Sequence, residues 1–424
     1  MTLTVAYLAN EFPSPVEPYV VEEIEELRRL GVHVIAGSVR KPAWDEASAS
    51  NNAPQIVLRP PHGVILLRAL WLCIRRLQRI RPLISRVVFH GREGPTKRIK
   101  ALAHTWLGAG YAVLLEGSGI KHIHVHHGYL GSWIAMVAAR LLGVEFSMTL
   151  HGSDLLLHGL YLDTKLESCM FCLTVSDYNR DYILEHYRKV DAEKVVVARL
   201  GVEVRDLAAL PAPRMKASSG RLKLLAVGRL HAVKDHAFLI RACAQLYDRK
   251  VNLECAIAGE GPERRNLELL IRRCGLEERV RLLGHVPRER MASFYDQADV
   301  AVLTSRSEGI PLVLMEAMAR GKIVLAPAIT GIPELVISGK TGFLYEAGSM
   351  DDFVARLLLI RSLMQAPEDS PSEGRQLDRL QHAARMQVRE NFNRRRRLQI
   401  FGDFFLRRVS PQAESAPHED LVLQ

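Results

Sequence analysis

The sequence lacks a cysteine framework and lacks long apolar runs. Its six cysteines follow no disulfide-type spacing (Cys73, Cys169, Cys172, Cys243, Cys255, Cys274), which predicts a reducing compartment. Within residues 64–88 the longest uncharged run covers only six residues, 69–74, whereas a spanning helix needs about 20. The first residues, MTLTVAYLANEFP, contain no basic region followed by an apolar core. They predict a strand and not a signal peptide.

Several nucleotide and metal motifs are also missing. No Asp-x-Asp pair is present, since Asp296 and Asp299 are separated by two residues. The turn GEGPER (259–264) has no third glycine, so it does not make a dinucleotide fingerprint. SGKTG (338–342) has Glu334 where a phosphate loop needs its first glycine, and it precedes a predicted strand. We therefore predict simple turns at both places.

A zinc site is not expected either. Cys169 and Cys172 could join the histidines of HIHVHH (122–127), but no second cysteine pair follows. His122, His124 and His126 alternate along one face of a predicted strand. A place near an acceptor is the alternative to a structural role for His124 or His126.

The sequence is rich in apolar residues, and its positive charge is unevenly distributed along the chain. Hydrophobic residues make up 48% and charged residues 25%, which is typical of a soluble globular protein of two or three domains. The formal net charge is +10, and residues 60–110 hold ten Lys or Arg against one acid. Within them, residues 64–88 predict a cationic amphipathic helix that carries Trp71 and lies on an anionic membrane surface. A basic helix with solvated arginines is the alternative. No nucleic-acid module is recognisable, so nucleic acid is not an expected partner.

Short apolar runs alternate with helical segments along the whole chain, and this pattern begins again after residue 221. Such alternation predicts α/β architecture with parallel sheets. We expect two Rossmann-like, doubly wound domains facing each other across a cleft. The predicted boundaries are an acceptor domain at 1–206, a linker at 207–221 and a donor domain at 222–375. Helices at 376–409 would return toward the N-terminal domain, and 410–424 would form a disordered tail.

The segment SEGIPLVLMEAMARG (307–321) places two glutamates at an unusual spacing. From Pro311 to Ala319 it is apolar except for Glu316, and a carboxylate in a buried helix needs compensation. Glu308 stands just before the predicted helix start, where unpaired amides and the helix dipole make an anion site. Eight residues of helix span about 12 Å, comparable to the distance from a donor sugar to its nucleotide ribose. The alternative makes Glu308 a surface acid and Glu316 the partner of a buried arginine.

The second half resembles the donor domain of the family-4 retaining glycosyltransferases, which have the GT-B fold. The resemblance is carried by VGRL with Lys234, AGEGP, RLLGHVP, SEGIPLVLMEAMARG and TGIPELVISGKTGFLY, in this order over about 130 residues. The first half resembles colanic-acid and exopolysaccharide enzymes more weakly, through NEFPSPVEPYVVEEI, HIHVHHG and TLHGSDLL.

The resemblance implies roles for individual residues. Arg229 and Lys234 would contact the diphosphate, Glu308 and His151 the sugar, and Glu316 the ribose; His151, Glu308, Arg229 and Lys234 form the implied catalytic set. Other donor contacts are implied at Gly284, His285, Val286, Gly309, Ile310, Pro311 and Leu312. The acceptor is expected at Glu11, Phe12 and His126. No metal is expected, because arginine, lysine and helix amides can stabilise the leaving diphosphate.

The resulting expectation is a retaining hexosyltransferase that uses a UDP- or GDP-linked sugar and needs no metal or other cofactor. Its acceptor would be a growing, lipid-linked glycan in exopolysaccharide or lipopolysaccharide biosynthesis, at the cytoplasmic face of the membrane. Two alternatives stay open. A nucleotide-sugar epimerase of the same fold would turn over its substrate without an acceptor, and a non-catalytic sugar-binding homologue would bind without turnover.

Overall fold

The computed structural model describes residues 2–14, 17–41, 53–60, 62–91, 93–157, 159–204, 220–365 and 373–410. The predicted linker, apart from its last two residues, and the predicted tail beyond Ser410 lie outside these ranges. Two compact units emerge: unit 1 contains residues 1–198 and 397–424, and unit 2 contains residues 199–396. These boundaries differ from the predicted ones in two places. The first segment of unit 1 ends at residue 198 instead of 206, and residues 376–396, which were expected to return toward the N-terminal domain, belong to unit 2.

Unit 1 is built on a seven-stranded parallel sheet of order β3-β2-β1-β4-β5-β6-β7. Its strands are β1 (Thr4–Glu11), β2 (His33–Arg40), β3 (Ile56–Val57), β4 (His122–His126), β5 (Glu145–Leu150), β6 (Cys172–Thr174) and β7 (Val195–Val197). Its first eight helices are α1 (Pro18–Arg29), α2 (Gly63–Arg75), α3 (Leu77–Val88), α4 (Pro95–Leu115), α5 (Leu130–Leu142), α6 (Ser153–Leu156), α7 (Leu162–Ser168) and α8 (Asp177–His186).

Unit 2 is built on a six-stranded parallel sheet of order β10-β9-β8-β11-β12-β13. Its strands are β8 (Leu222–Val227), β9 (Leu253–Ala258), β10 (Val280–Gly284), β11 (Val300–Val302), β12 (Ile323–Pro327) and β13 (Phe343–Tyr345). Its helices are α9 (His236–Asp248), α10 (Arg264–Arg273), α11 (Arg288–Gln297), α12 (Leu312–Ala319), α13 (Ile332–Leu335), α14 (Met350–Gln365) and α15 (Glu373–Asn391). The expected pair of parallel-sheet α/β units is confirmed.

The last helix, α16 (Arg394–Val409), contributes to the core of unit 1 from Arg397 onward. Phe401, Phe404 and Phe405 pack in one apolar cluster with residues of β1, α1 and β6. Phe405 is fully buried and meets Phe171 edge to face, with ring centroids 6.0 Å apart. Burying three aromatic rings on one helix face stabilises the attachment of this late segment by several kcal/mol, at about 1.5–3 kcal/mol for each ring.

The basic segment 64–88 is not the single helix that the sequence predicted. It forms α2 and α3, separated at Arg76, where the backbone leaves helical geometry (φ −114°, ψ 28°). The guanidinium of Arg76 donates to the carbonyl of Leu141, and Arg79 donates to the same oxygen at 3.2 Å. The two cations therefore cap the carbonyl end of α5, which fixes the bend.

Among the described residues, none of the helices has the length and apolar character that crossing a membrane requires. The six cysteines all carry free thiols.

Candidate functional site

In unit 2, a short loop after β8 and a loop after β11 hold each other in place. The hydroxyl of Thr304 donates to the carbonyl of Lys234 at 3.0 Å. The backbone amide of Arg306 donates to Val233 at 2.8 Å, and its guanidinium pairs with Asp235 at 2.8 Å. Asp235 also caps α9, accepting from the amide of Phe238 at 3.3 Å. These bonds fix Lys234 beside the residues that precede α12.

Lys234 and Glu308 form an ion pair within this arrangement. The two side chains are 19% and 12% exposed, so the pair is shielded from most of the solvent and yet accessible from one side. Lys234 runs along Gly228, where an added Cβ would lie 3.6 Å from the lysine chain. The structure thus brings together two of the four residues that the sequence singled out as catalytic. Arg229 follows Gly228 directly and is exposed.

Residues close to Glu308 in the chain have open hydrogen-bonding capacity. The hydroxyls of Ser305 and Ser307 are buried and have no partner among the described residues. Helix α12 starts three residues after Gly309, with Pro311 at its N-cap, and the first amides of a helix have no partner within the helix. Buried polar groups are normally satisfied. Two unpartnered hydroxyls next to a helix N-terminus and a lysine therefore describe a site that can accept an anion.

Glu316 lies on α12, two turns beyond this site. The hydroxyl of Tyr295 donates to its carboxylate at 2.8 Å. Burial raises the pKa of Glu316, while the bond from Tyr295 and the charges of Arg288 and Arg320 act in the opposite direction. The hydroxyl of a tyrosine on α11 therefore compensates the carboxylate in the apolar helix. This partner was not identified from the sequence, because twenty-one residues and a strand separate the two.

The turn after β9 packs directly against the strand end that carries Arg229. An added Cβ on Gly259 (φ +150°) would lie 1.9 Å from the carbonyl oxygen of Gly228, and one on Gly261 would lie 2.3 Å from that of Leu230. Only glycine fits such close backbone approach. Gly259 also bridges to Gly284 at the end of β10, where its amide donates at 2.8 Å. The GEGP segment is thus a tight turn, and it sets the position of residues 284–286, of which His285 is exposed.

In unit 1, a buried aspartate organises the ends of β4 and β5. Asp154 accepts hydrogen bonds from the amides of Gly128 (2.9 Å), His151 (3.1 Å) and Gly152 (2.8 Å). Although burial alone would raise the pKa of Asp154, the bond and charge of His127 and these amides hold it well below its usual range. Asp154 lies in the TLHGSDLL stretch that carries the family resemblance. Its role as the anchor of this turn needed the structure.

His127 is held between two carboxylates. Its Nε2 lies 2.9 Å from Glu17 and its Nδ1 lies 3.7 Å from Asp154. Burial opposes the charged ring, but the bonds to Asp154 and Glu17 prevail and raise the pKa of His127 to about 10. The ring of His127 also lies 4.6 Å from the ring of His151. A protonated imidazole therefore neighbours His151 at neutral pH.

His126 and His151 meet through their ring nitrogens at 3.0 Å. The other nitrogen of His126 lies 3.1 Å from the carboxylate of Glu23 and 3.2 Å from the hydroxyl of Tyr7. Tyr7 itself donates to Glu23. Burial, followed by the charges of His127 and His126, lowers the pKa of His151, so its ring is neutral near pH 7. Neither Glu23 nor Tyr7 was singled out from the sequence.

The other two histidines of β4 are neutral and structural. Burial lowers the pKa of His122 to about 3 and that of His124 well below its usual value. His122 contacts the hydroxyl of Ser147 at 2.6 Å, and His124 contacts the hydroxyls of Ser147 and Thr149 at 2.7 and 3.0 Å.

The residues expected to bind an acceptor differ in their exposure to solvent. Glu11 ends β1 and is partly exposed. Phe12, however, is 1% exposed and packs in the unit 1 core, and the side chain of His126 has no exposed surface. These two side chains therefore offer almost no surface to an acceptor in this structure, and the expected contact stays a prediction. Apolar burial accounts for Phe12, and the contact with Glu23 accounts for His126.

One grouping in the described part of the chain has donor atoms close enough for a metal ion. Glu23, His124 and His126 each offer one such atom within 4.8 Å of the others, and all three are buried. Each of them already has a hydrogen-bond partner inside the protein. Cys169 and Cys172 are not part of this grouping. The expectation that no metal is needed stays a prediction.

The two parallel-sheet units define the class of the protein as one with the fold of GT-B glycosyltransferases. The structure of Anabaena HepE in complex with UDP has a TM-score of 0.67 and 17% identity, and the alignment covers 95% of this chain and 99% of that one. Residues 213–376 match the family model described as glycosyl transferases group 1. Residues 213–376 are therefore similar to group 1 glycosyl transferases, and the resemblance drawn from the sequence is confirmed.

Two curated relatives refine this comparison. The colanic acid biosynthesis glycosyltransferase WcaL of Escherichia coli is 34% identical over 202 residues, which are 46% of this chain and 49% of WcaL. The amylovoran biosynthesis glycosyltransferase AmsK of Erwinia amylovora is 35% identical over 180 residues, 39% of this chain and 42% of AmsK. The chain thus spans about half the length of the curated relatives it matches.

Proposed function

We propose that this protein is a retaining, metal-independent glycosyltransferase that takes a sugar from a UDP- or GDP-linked donor and builds an exopolysaccharide. The observation that carries the proposal is the anion site of unit 2. There a lysine pairs with Glu308, and two unpartnered buried hydroxyls and a helix N-terminus lie within four residues of Glu308 along the chain, inside the matched region. The two related enzymes named for colanic acid and amylovoran biosynthesis support the polymer class.

These groups would stabilise the leaving nucleoside diphosphate. When the bond from the anomeric carbon to the diphosphate breaks, negative charge accumulates on the phosphate oxygens. Lys234, Arg229 and the first amides of α12 would stabilise that charge from fixed positions. Binding of the diphosphate to Lys234 would release Glu308 from its ion pair, so that its carboxylate can accept hydrogen bonds from sugar hydroxyls. Glu316 would accept from the ribose.

A thermal-shift experiment tests the donor site. The full-length protein is heated in a calorimeter with UDP, GDP, ADP or CMP at about 100 times the dissociation constant, which adds roughly 2.7 kcal/mol. For a unit of this size that corresponds to a rise in melting temperature of about 5 to 10 °C. We expect UDP or GDP to give this rise.

The variant that tests the site is the double substitution Lys234→Met with Glu308→Gln, because it removes both charges and leaves neither unpaired. It should lose the shift. Lys340→Ala is the matched control, since this exposed lysine lies in the SGKTG turn. Loss of the shift in the control, or no shift with any nucleotide in the wild type, would contradict the proposed donor site.

Turnover separates the proposed reaction from its alternatives. We expect release of nucleoside diphosphate to depend on an added lipid-linked oligosaccharide and to be unaffected by EDTA. NMR of the product should show the same anomeric configuration as the donor. Conversion of the nucleotide sugar without an acceptor would instead identify an epimerase, and binding without any turnover would identify a non-catalytic homologue.

We also propose that helices α2, α3 and α4 bind the anionic cytoplasmic face of a membrane, where a lipid-linked acceptor would be found. Large apolar side chains are exposed along them, among them Leu67 (71%), Trp71 (58%) and Phe89 (78%). Exposed cations accompany them: Arg68, Arg75, Arg79, Arg81, Lys97 and Lys100. An apolar surface interspersed with cations is complementary to anionic lipid.

Vesicle sedimentation tests this surface. The protein should sediment with phosphatidylglycerol vesicles and much less with neutral phosphatidylcholine vesicles. The triple variant Leu67→Ser, Trp71→Ser, Phe89→Ser should stay in the supernatant, and Leu269→Ser, which replaces a 42% exposed leucine of α10, should not change binding. Equal sedimentation of the triple variant and the wild type would disprove the assignment.

A further inference from the structure

A buried chain of hydrogen bonds leads from the carboxylate of Glu23 to the ring of His151, a partly exposed residue. Its links are Glu23 Oε2 to His126 Nε2 at 3.1 Å, and His126 Nδ1 to His151 Nε2 at 3.0 Å. The side chains of Glu23 and His126 are 7% and 0% exposed. Helix α1 supplies the carboxylate, β4 the middle ring, and the residue after β5 the last ring.

The positions of the protons follow from the donors and acceptors along this chain. An ionised carboxylate can only accept, and the hydroxyl hydrogen of Tyr7 is already given to Glu23. His126 Nε2, which faces both oxygens, must therefore carry a hydrogen. If the ring of His126 is neutral, its Nδ1 accepts from His151, and His151 Nε2 carries a hydrogen in turn; a doubly protonated His126 would instead donate to His151 Nε2.

We propose that Glu23 and a neutral His126 are positioning residues that hold His151 in one tautomer, with its proton on Nε2 and the lone pair of Nδ1 available to a ligand. The inference deepens the proposed function, on which it rests. A nitrogen that can only accept selects a ligand group that donates, and the hydroxyl of a sugar is such a group. The ring centroids of Tyr19 and His127 each lie 4.6 Å from the ring centroid of His151, and these two rings restrict its rotation.

A direct test is the tautomer of His151 in the full-length protein. Histidine is labelled with ¹⁵N, and long-range ¹H–¹⁵N correlation spectra at pH 7.5 distinguish protonated from unprotonated ring nitrogens. The variants His151→Gln and His126→Gln identify the two sets of signals. We expect Nε2 to be protonated and Nδ1 unprotonated in both rings. A proton on Nδ1 of His151 would overturn the proposal without any variant having to fold.

Glu23→Gln tests the origin of the tautomer. Glutamine can donate as well as accept at the same place, so the fixed direction of the chain is lost. The Nδ1 signal of His151 should move toward the protonated form, and kcat should fall about 10- to 100-fold, the loss typical when the outer partner of a functional histidine is removed. A fall in kcat with an unchanged tautomer would mean a merely structural role and would refute the inference.

Two controls accompany this variant. Tyr7→Phe keeps the carboxylate and should keep the tautomer, whereas Glu25→Gln replaces an exposed acid of the same helix and should change neither the spectrum nor the rate. Addition of one equivalent of Zn²⁺ that shifted the signals of His124 and His126 together would assign the cluster to metal binding and overturn the tautomer chain. If the wild type showed no transferase activity, the proposed function would fail, while the spectra would still decide the tautomer.

Discussion

Two buried groups of unit 1 should give opposite dependences of stability on pH, and this is the sharpest test of the electrostatics described above. His127, between Glu17 and Asp154, has its pKa raised from 6.5 to about 10. Lys165, whose ammonium donates to the carbonyls of Gly128 and Tyr129 at 2.7 and 2.9 Å, has its pKa lowered by burial from 10.5 to about 7. Between about pH 7 and 10 both groups change the free energy of unfolding, and they do so in opposite directions.

The signs follow from proton counting. Between pH 6.5 and 10 the folded protein holds a proton on His127 that the unfolded chain has lost, so this group stabilises the fold at low pH and loses its effect as pH rises. Between pH 7 and 10.5 the folded protein lacks a proton on Lys165 that the unfolded chain binds, so this term favours folding as pH rises. Each term amounts to about 1.4 kcal/mol per pH unit. From pH 7.5 to 9.0 each therefore changes the free energy of unfolding by about 2 kcal/mol, and in the wild type they cancel.

Urea unfolding of four proteins measures the two terms separately. The sequence has four tryptophans, all before residue 199, so tryptophan fluorescence follows unit 1. His127→Gln should become more stable by about 2 kcal/mol between pH 7.5 and 9.0, and Lys165→Met should become less stable by the same amount. The double variant should resemble the wild type in its pH dependence. Thiols and tyrosines that titrate at higher pH contribute equally to all four. If His127→Gln and the wild type had parallel pH profiles, His127 would not be protonated in the folded state and the reasoning would be refuted.

Three further predictions concern single contacts. Tyr295→Phe removes the donor to Glu316 and should lower the free energy of unfolding of unit 2 by about 1–3 kcal/mol, with little effect when Glu316→Gln is already present; calorimetry of the two single variants and the double variant measures this coupling. Gly259→Ala places a Cβ 1.9 Å from a backbone oxygen and should cost about 3 kcal/mol or prevent folding, whereas Gly348→Ala, with φ +80° and open space, should cost about 1–2 kcal/mol. Asp154→Asn should destabilise unit 1 by about 3–5 kcal/mol in urea, because it leaves the charge of His127 without its buried partner; a loss below about 1 kcal/mol would contradict the role of Asp154 as an anchor.

Much of the donor site could be predicted because its information is local. Lys234 and Glu308 stand at strand ends in two neighbouring α/β repeats, and the carboxyl ends of parallel strands meet at one edge of a sheet. The family resemblance singled out the two residues, and the alternation of strands and helices accounts for their proximity. The same reasoning could not supply Tyr295, because a hydroxyl on a different helix compensates Glu316, and helix-to-helix register is not encoded in either segment alone.

The histidine stretch shows the opposite situation. The alternation of histidines along β4 could be read from the sequence. The side chains that contact these rings, however, come from other elements: Ser147 from β5, Glu23 from α1 and Asp154 from α6. Phe12 and the bend at Arg76 were missed for a related reason, since burial and capping are properties of what packs against a segment. The histidines could be singled out from the sequence, whereas their hydrogen-bond partners and protonation depend on tertiary packing.

Three histidines on or next to β4 and β5 differ in protonation state within one small volume, and this argues for a fixed arrangement of protons there. His124 is neutral with two hydroxyl partners, His127 is charged between two carboxylates, and His151 is neutral. Like charges so close together would repel strongly at the low dielectric of the interior. Placing a positive charge on His127, next to Asp154 and Glu17, favours a neutral ring at His151, because a second charge so close to the first would be repelled.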